Sequence, residues 1–298
     1  MSRPNKLIQF YLTNMCNSRC KTCDIWKTER KNMLELPASK VIEIIREFPN
    51  ADYVFGGGEF TLYNDKHVLL DYCDKNNVNY TILTNAVRLN LVEQLLALYD
   101  IKNLTISCDG VKHDEIRGIK GNLENIITII KKYKDKIPNI KLSYTLSKFN
   151  ENNIVEDMTL FRTLGFSKIY FCVAQDMELL LKSYDKTNSS VCPGVNAVKE
   201  LYEKYPDMLY DKDRELLGNI LNGFYKKCSS KRDVHTIYTN GDVVLCQSYL
   251  SNVILGNVYQ ESFKDIVEQA DNLFDGECPY NNKCKLVCQR RYDYEDRI

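Results

Sequence analysis

Three cysteines lie close together near the start of the chain, and their spacing could support metal chemistry. They fall in the segment CNSRCKTC as Cys16, Cys20 and Cys23, separated by three and then two residues. A loop this compact can place three thiolates around one metal centre. A [4Fe–4S] cluster normally takes four cysteines, so three local ligands would leave one iron open to a small molecule. The alternative is a zinc site whose fourth ligand comes from elsewhere in the chain.

A second group of cysteines lies toward the end of the chain. Turn signals such as Asn240–Gly241 and short strand-like segments, TIYT and DVVLC, lie among them. This pattern predicts a small domain that is held together by metal more than by a large core. The five cysteines of this group are Cys228, Cys246, Cys278, Cys284 and Cys288.

The composition favours a cytoplasmic protein with a packed core. The 298 residues suit one large domain with an appendage or two small domains, and a composition of 44% hydrophobic and 27% charged residues allows a packed core. Basic and acidic side chains balance at 40 each, so nothing favours nucleic acid or an anionic membrane as a partner. No apolar run has the length of a signal peptide or a membrane span. The 12 cysteines, in a reducing compartment, favour metal binding or catalysis over disulfides.

The elements that must position the first three cysteines alternate between strand and helix. Strand-like segments fall at 6–13, 52–57, 78–84, 103–110, 140–146 and 167–174, with helical spacing between them. Six such repeats predict an α/β fold, a partial (β/α)6 TIM-like barrel with a parallel sheet. Chemistry in such folds occurs at the carboxyl ends of the strands. We expect a barrel core at 1–185, a helical linker at 186–226 and the cysteine-rich domain at 227–298.

Glycine-rich and polar motifs fall at the predicted strand ends. The run Gly56–Gly58 with Glu59 ends the second strand, Thr84–Asn85 ends the third, and Ser107–Asp109 ends the fourth. Glycines let the backbone approach a ligand closely, and a carboxylate can bind an ammonium group. Alternation along the fourth strand places Ser107 and Asp109 on one side and Cys108 on the other.

The cysteine trio, placed directly after the first strand of the series, resembles the signature of the radical S-adenosylmethionine superfamily. The resemblance covers residues 6 to about 175. It implies that Cys16, Cys20 and Cys23 hold a [4Fe–4S] cluster whose open iron binds the amine and carboxylate of S-adenosylmethionine (SAM). Electron transfer from the cluster would then release a 5′-deoxyadenosyl radical, so the cofactor carries the hard chemistry.

Other motifs resemble those that contact SAM in this superfamily. The glycine run with Glu59 is similar to the GGE(P) motif that holds the methionine amine, although Phe60 replaces the usual proline. Thr84–Asn85 resembles a TN pair near the ribose. The stretch SCDG…HDEIRG resembles an S-x-D-G…H-D-x-x-R-G run, which makes Ser107 and Arg117 candidates for binding the carboxylate. The implied cofactor contacts are Gly57, Gly58, Glu59, Thr84, Asn85, Ser107, Asp109 and Arg117.

The C-terminal cysteines resemble the SPASM/twitch extensions of radical SAM enzymes, which carry auxiliary [4Fe–4S] clusters. A full SPASM domain has seven cysteines for two clusters, whereas here Asp275 stands where another cysteine is expected and none follows Cys288. Asp275 or an outside ligand would be needed to complete a second cluster, and a structural zinc knuckle is the alternative. We therefore expect at least one auxiliary cluster, ligated by Cys228, Cys246, Cys288 and one of Cys278 or Cys284.

The remaining cysteines and one histidine are given structural roles. Cys73, Cys108 and Cys172 are expected in the core, where cysteine is common. Cys192 lies in a loop next to Pro193 and is a candidate for an extra ligand or a hydrogen-atom donor. His113 is expected at the surface or in a loop.

The resemblance implies an oxidoreductase-type radical enzyme that abstracts hydrogen from a substrate inside the barrel, with the auxiliary cluster accepting an electron. It favours a peptide substrate, as in ribosomal peptide maturation, and the alternative is oxidation of a sugar or aminocyclitol alcohol. The first strand begins near residue 6, so we expect no separate leader-binding domain before the barrel. The implied partner is an electron donor such as flavodoxin or ferredoxin. A hypothesis of another class is a non-catalytic iron–sulfur or zinc scaffold, which would saturate its cluster with four cysteines.

Overall fold

The structure is a computed structural model that describes residues 6–174, 191, 193–221, 234–244 and 254–273. The strands are β1 (Leu7–Thr13), β2 (Asp52–Gly57), β3 (Tyr80–Thr84), β4 (Asn103–Ser107), β5 (Asn139–Leu146), β6 (Tyr170–Val173), β7 (Val234–Ile237), β8 (Asp242–Val244) and β9 (Ile254–Asn257). The helices are α1 (Ala38–Glu47), α2 (Lys66–Lys75), α3 (Leu89–Leu98), α4 (His113–Arg117), α5 (Asn122–Tyr133), α6 (Ile154–Thr163), α7 (Val195–Lys204), α8 (Asp211–Leu221) and α9 (Phe263–Leu273).

The described strands form a single sheet in the order β6-β5-β4-β3-β2-β1-β7-β8-β9. The first six strands are parallel in sequence order, and each is joined to the next by a helical crossover. This arrangement confirms the predicted α/β fold with a partial barrel. It also brings the carboxyl ends of β1 to β6 to one edge of the sheet, where the predicted motifs lie.

The two faces of the sheet differ because alternate side chains along each strand point to opposite sides. In β1, Ile8, Phe10 and Leu12 are buried in the main core between the sheet and the helices. Leu7 belongs instead to a small second cluster, which contains two valines from neighbouring strands. The outer face thus supplies the apolar core, and the inner face is left for a more varied set of side chains.

The amphipathic helices α1 and α5 show why these segments fold against the sheet. In α5, Ile126, Ile129 and Ile130 are buried, and they lie three and four residues apart on one helical face. Fully burying one such side chain contributes about 1.5–3 kcal/mol of transfer free energy.

The C-terminal strand fragments predicted from the sequence overlap β7 and β8 in their described residues. β7 pairs in parallel with β1, with Leu7 opposite Val234 and Phe10 opposite Ile237. β8 and β9 continue the sheet as antiparallel strands.

The predicted domain boundaries remain predictions. Within the described ranges, no helix combines the length and apolar character needed to cross a membrane.

Candidate functional site

The cysteine loop, residues 14–24, follows β1 at the carboxyl edge of the sheet. Cys20 is buried, and Cys16 and Cys23 are partly exposed. Burial raises the pKa of all three thiols, and that of Cys16 reaches about 12. A thiol in this setting gives up its proton only near a strong positive charge, which a bound metal centre supplies.

One side of the cysteine loop is attached to the last turn of α4. The backbone N–H of Arg19 donates to the carbonyl oxygen of Arg117 at 2.9 Å, and that of Lys21 donates to Ile116 O at 2.8 Å. These two hydrogen bonds lie on either side of Cys20, so they fix the backbone that carries its thiol.

The other side of the loop is attached to the glycine run. Gly58 N donates to Thr13 O at 2.6 Å, and Glu59 N donates to Met15 O at 2.8 Å. A Cβ atom on Gly57 would lie 2.4 Å from Thr13 O, and one on Gly58 would lie 2.1 Å from Met15 O. These two glycines are therefore required by the close approach of β2 to the start of the cysteine loop, since any side chain would collide with backbone.

Glu59 is buried, and its carboxylate joins the ends of two strands. Its Oε1 atom accepts from the Thr61 backbone N–H at 3.1 Å and from the hydroxyls of Thr61 and Thr84, both at 2.8 Å. Its Oε2 atom accepts from the Asn85 backbone N–H at 2.8 Å. Burial raises the pKa of Glu59, and these four donors oppose the increase. The predicted contact with the SAM amine stays a prediction, and Oε2, with one donor here, has a lone pair for it.

Asn85 connects the end of β3 to the cysteine loop. Its Nδ2 atom donates to Asn17 Oδ1 at 2.8 Å and to Ser18 Oγ at 3.0 Å, and it lies 3.8 Å from Cys16 Sγ. The sequence predicted Thr84 and Asn85 near the ribose of SAM. The structure adds two contacts that the sequence did not reveal. Thr84 donates to Glu59, and Asn85 bonds to the cysteine loop.

Asp109 and Arg117 form a buried ion pair beside Cys20. Arg117 Nε lies 2.5 Å from Asp109 Oδ2, and Nη2 lies 3.1 Å from Oδ1. The third nitrogen, Nη1, lies 3.8 Å from Cys20 Sγ. Two of the predicted cofactor-binding residues therefore contact each other, and Arg117 also contacts a predicted cluster ligand, a relation that their distance along the chain did not show.

His113 is completely buried, so its predicted place at the surface was wrong. Asp109 N donates to His113 Nδ1 at 3.0 Å, and the amide of Asn122 lies 2.8 Å from Nε2. Burial lowers the pKa of His113 to about 4. The neutral ring thus supports the turn that carries Asp109. The buried neighbour Asn122, which also donates to Asn85 O at 3.0 Å, was missed from the sequence because nothing local distinguishes it.

Ser107 and the other cysteines fall at separate positions. Ser107 lies partly buried at the carboxyl end of β4, in register with Ser143 of β5. Cys73 and Cys108 are fully buried in the core, as predicted. Cys172 is only partly buried, so its predicted place in the core was wrong. It lies in the second half of β6, where the neighbouring Val173 is also only partly buried.

The loop fits a cluster that is bound by three separate thiolates. Among the described side chains, no three His, Cys, Asp or Glu groups are spaced to hold a single metal ion. A [4Fe–4S] cluster does not need such spacing, because each thiolate binds a different iron. Next to Cys16, the buried Nδ2 atom of Asn17 has no hydrogen-bond partner among the described atoms, so the loop still has a donor to offer a bound group.

The remaining predicted ligands cannot be placed. Cys192 and Asp275 lie outside the described residues, and so do the five C-terminal cysteines, Cys228, Cys246, Cys278, Cys284 and Cys288.

Two curated relatives show what the chain is similar to. It is 24% identical to the mycofactocin maturase MftC of Mycolicibacterium smegmatis, over 93% of this chain and 76% of that protein. It is 26% identical to the AdoMet-dependent heme synthase of Methanosarcina barkeri, over 55% of this chain and 49% of that protein.

Solved structures share the fold at low identity. Streptococcus suis SuiB bound to its precursor peptide SuiA matches with a TM-score of 0.64 and 17% identity, covering 88% of this chain and 64% of SuiB. The enzyme anSMEcpe with bound AdoMet and the Cp18Cys peptide matches with a TM-score of 0.61 and 19% identity, covering 99% of this chain and 91% of that one.

Family models match both cysteine-containing parts of the sequence. The model of the radical SAM superfamily matches residues 10–161, half of the chain. The model of the SPASM iron–sulfur cluster-binding domain matches residues 228–289. The chain therefore belongs to the radical SAM superfamily and is a radical SAM enzyme with a C-terminal SPASM iron–sulfur domain.

Proposed function

We propose that Cys16, Cys20 and Cys23 ligate the SAM-binding [4Fe–4S] cluster of this enzyme. The observation that carries the proposal is their shared loop, which is held by the ends of β2 and β3 and by α4. When bound, the cluster supplies the electron for reductive cleavage of SAM, which starts radical chemistry. The residues around it then act by holding SAM in one orientation, because radical abstraction depends on positioning.

The cofactor contacts are proposed on the groups that still have hydrogen-bonding capacity. Glu59 Oε2 has one donor, so it suits the SAM ammonium. Arg117 keeps N–H groups beyond the three that face Asp109 and Cys20, so it suits the SAM carboxylate together with Ser107. Gly57 and Gly58 act indirectly, because they allow the cysteine loop to approach β2.

For the C-terminal domain, we propose one auxiliary [4Fe–4S] cluster ligated by Cys228, Cys246, Cys288 and one of Cys278 or Cys284. Iron in a Cys16→Ala, Cys20→Ala, Cys23→Ala variant, prepared without oxygen, tests this number. About four irons per chain should remain. About eight would mean that Asp275 or an outside ligand completes a second cluster, and zinc in place of iron would contradict the electron-accepting role.

The proposed substrate is a peptide. MftC is a maturase, and the SuiB and anSMEcpe structures contain peptides, which supports this class over a sugar or aminocyclitol alcohol. The heme synthase matches only 55% of the chain, so it gives weaker support for a tetrapyrrole. The inner face of the sheet near the cysteine loop carries small polar groups, including Ser107, Ser143 and Thr145, which suit hydrogen bonds to a peptide backbone.

Deuterium transfer tests the substrate class directly. The anaerobically reconstituted enzyme is incubated with SAM, a chemical reductant and a perdeuterated peptide library, and in parallel with perdeuterated sugars and aminocyclitols. Deuterium in the 5′-deoxyadenosine should come from the peptides. Transfer from the sugars or aminocyclitols alone would contradict the peptide proposal. The cysteine triple variant is the control, and it should form no 5′-deoxyadenosine at all.

A further inference from the structure

The buried Asp109–Arg117 pair is placed against one predicted cluster ligand. The side chain of Asp109 is 1% exposed and that of Arg117 is 13% exposed, and two guanidinium nitrogens face the two carboxylate oxygens. The remaining nitrogen, Nη1, lies 3.8 Å from Cys20 Sγ, which is within range of an N–H···S hydrogen bond. The planar guanidinium of Arg117 therefore contacts the Asp109 carboxylate on one side and the Cys20 thiol on the other.

Neighbouring backbone holds this pair in place. The Thr145 backbone N–H faces Asp109 Oδ1 at 3.4 Å, and His113 accepts from the backbone N–H of Asp109 at 3.0 Å. Arg117 O accepts from Arg19 N at 2.9 Å, so the loop and the guanidinium are fixed by the same residue. These attachments keep the positive guanidinium of Arg117 beside Cys20 without reorganisation.

A buried ion pair needs a reason other than stability, because desolvation offsets much of the attraction between its charges. For this pair, the reason lies in the negative charge that a cluster at this site gains when it is reduced. Reduction of a cluster adds one negative charge, and a nearby cation stabilises the reduced form more strongly when water is excluded. Hydrogen bonds to the cluster sulfurs, charge and solvent exposure set the potential of an iron–sulfur cluster.

We propose that the Asp109–Arg117 pair sets the reduction potential of the cluster ligated by Cys20. Arg117 raises the potential through its charge and its N–H···S bond, and Asp109 limits that increase while it aims the guanidinium. Both are positioning residues for the cluster, in addition to any contact with SAM. The inference rests on the proposed assignment of Cys20 as a ligand.

The two partners should shift the midpoint potential in opposite directions, which a structural role alone would not produce. Arg117→Gln removes the positive charge and should make the potential more negative. Asp109→Asn removes the negative charge and should make it more positive. Arg117→Lys keeps the positive charge but lacks the planar guanidinium that contacts both Asp109 and Cys20. Its midpoint potential should therefore lie nearer to the wild-type value than the potential of Arg117→Gln does.

The measurement is an anaerobic redox titration of the full-length enzyme without SAM, followed by electron paramagnetic resonance. The relevant signal is the one that the Cys16→Ala, Cys20→Ala, Cys23→Ala variant lacks. Lys21→Gln is the matched control, because it removes the same charge next to Cys20 from an exposed pair with Glu115. Solvent screens that pair, so the potential should remain near the wild-type value.

Two results would overturn the inference while leaving the cluster assignment intact. In the first, the signal is present in every variant at the wild-type potential, and Arg117→Gln weakens only SAM binding. In the second, Arg117→Gln and Asp109→Asn shift the potential in the same direction. If one variant does not fold, the sign of the other still decides. A signal that persists in the cysteine triple variant and still responds to SAM would instead contradict the cluster assignment.

Discussion

The carboxylate of Glu59, at the end of β2, accepts a hydrogen bond of 2.8 Å from the backbone N–H of Asn85, at the end of β3. This bond links two strand ends whose other contacts lead to the cysteine loop. Through Glu59 N and Asn85 Nδ2, both residues also bond to that loop. The loop is thus held by the sheet edge itself, before any metal or cofactor is considered.

Replacing Glu59 should destabilise the protein even without a cluster. In Glu59→Gln, one carboxylate oxygen becomes an NH2 group that faces donors, and a buried donor is left unsatisfied. We expect a loss of roughly 1–3 kcal/mol in the free energy of unfolding, measured by urea denaturation of the metal-free protein. Glu115→Gln, which changes an exposed carboxylate paired with Lys21, is the control and should unfold like the wild type. Equal stability of Glu59→Gln and the wild type would show that the strand ends do not depend on this carboxylate.

Asn85 should be needed for cluster retention. In Asn85→Asp, the Nδ2 donor is replaced by an oxygen that faces Asn17 Oδ1 and Cys16 Sγ. Repulsion should open the loop, so reconstituted protein should hold about four fewer irons per chain than the wild type. The control is Asn139→Asp, at the start of β5, where the amide bonds to Asn103 on the exposed surface. Full iron content in Asn85→Asp would contradict this role.

His113 should make stability depend on pH. Its pKa is about 4 in the folded protein against an ordinary value of 6.5, because burial disfavours the charged ring. Between these two values His113 binds more protons in the unfolded chain than in the folded protein, so its contribution to stability should rise with pH across that window, by up to about 3 kcal/mol at roughly 1.4 kcal/mol per unit. Unfolding of the wild type and His113→Asn at pH 4 and pH 7 measures the difference.

Asp157 changes stability over the same pH range but in the opposite direction. The effect of His113 must therefore be measured by comparing variants. Burial raises the pKa of Asp157 from 3.8 to about 7, and stability from this group is lost as pH rises through the folded value. The two contributions oppose each other, so the stability of the wild type should change little between about pH 4 and pH 6.5. In His113→Asn the stability should fall as pH rises, whereas in Asp157→Asn it should rise. The same pH dependence in the wild type and His113→Asn would contradict the buried neutral ring.

The sequence predicted the placement of the motifs better than their contacts. Parallel strands carry their carboxyl ends to one edge, so Glu59 and Asn85 could be placed near the cysteine loop from strand order alone. The hydrogen bonds of Glu59 and the pairing of Asp109 with Arg117 depend on side-chain directions that no local pattern encodes. The predicted burial of His113 and of Cys172 was wrong for the same reason, because the burial of a residue is set by elements far away in sequence. The pairing of β7 with β1 joins segments more than 200 residues apart, which periodicity cannot detect.

Gly110 should be among the least replaceable residues near the site. It follows Asp109, and a Cβ atom there would lie 1.9 Å from Asp157 Oδ1, at a φ of +78°. Asp157 cannot move away easily, since its Oδ1 accepts from Val111 N at 2.7 Å and its Oδ2 accepts from the Tyr144 hydroxyl at 2.8 Å. Gly110→Ala should therefore displace the turn that carries Asp109.

Gly121→Ala is the control that separates the collision with Asp157 from the strain of a positive φ, because Gly121 has the strain without the collision. Its φ is +82°, but nothing lies within 4 Å of the added Cβ, so it should cost only about 1–2 kcal/mol for the left-handed conformation. Gly110→Ala should cost clearly more in urea unfolding, and Asp157→Ala in the same chain should recover part of the difference, because the two changes act at one contact. Equal losses for the two glycine variants would mean that the carboxylate can yield, and that Asp109 is not held by this contact.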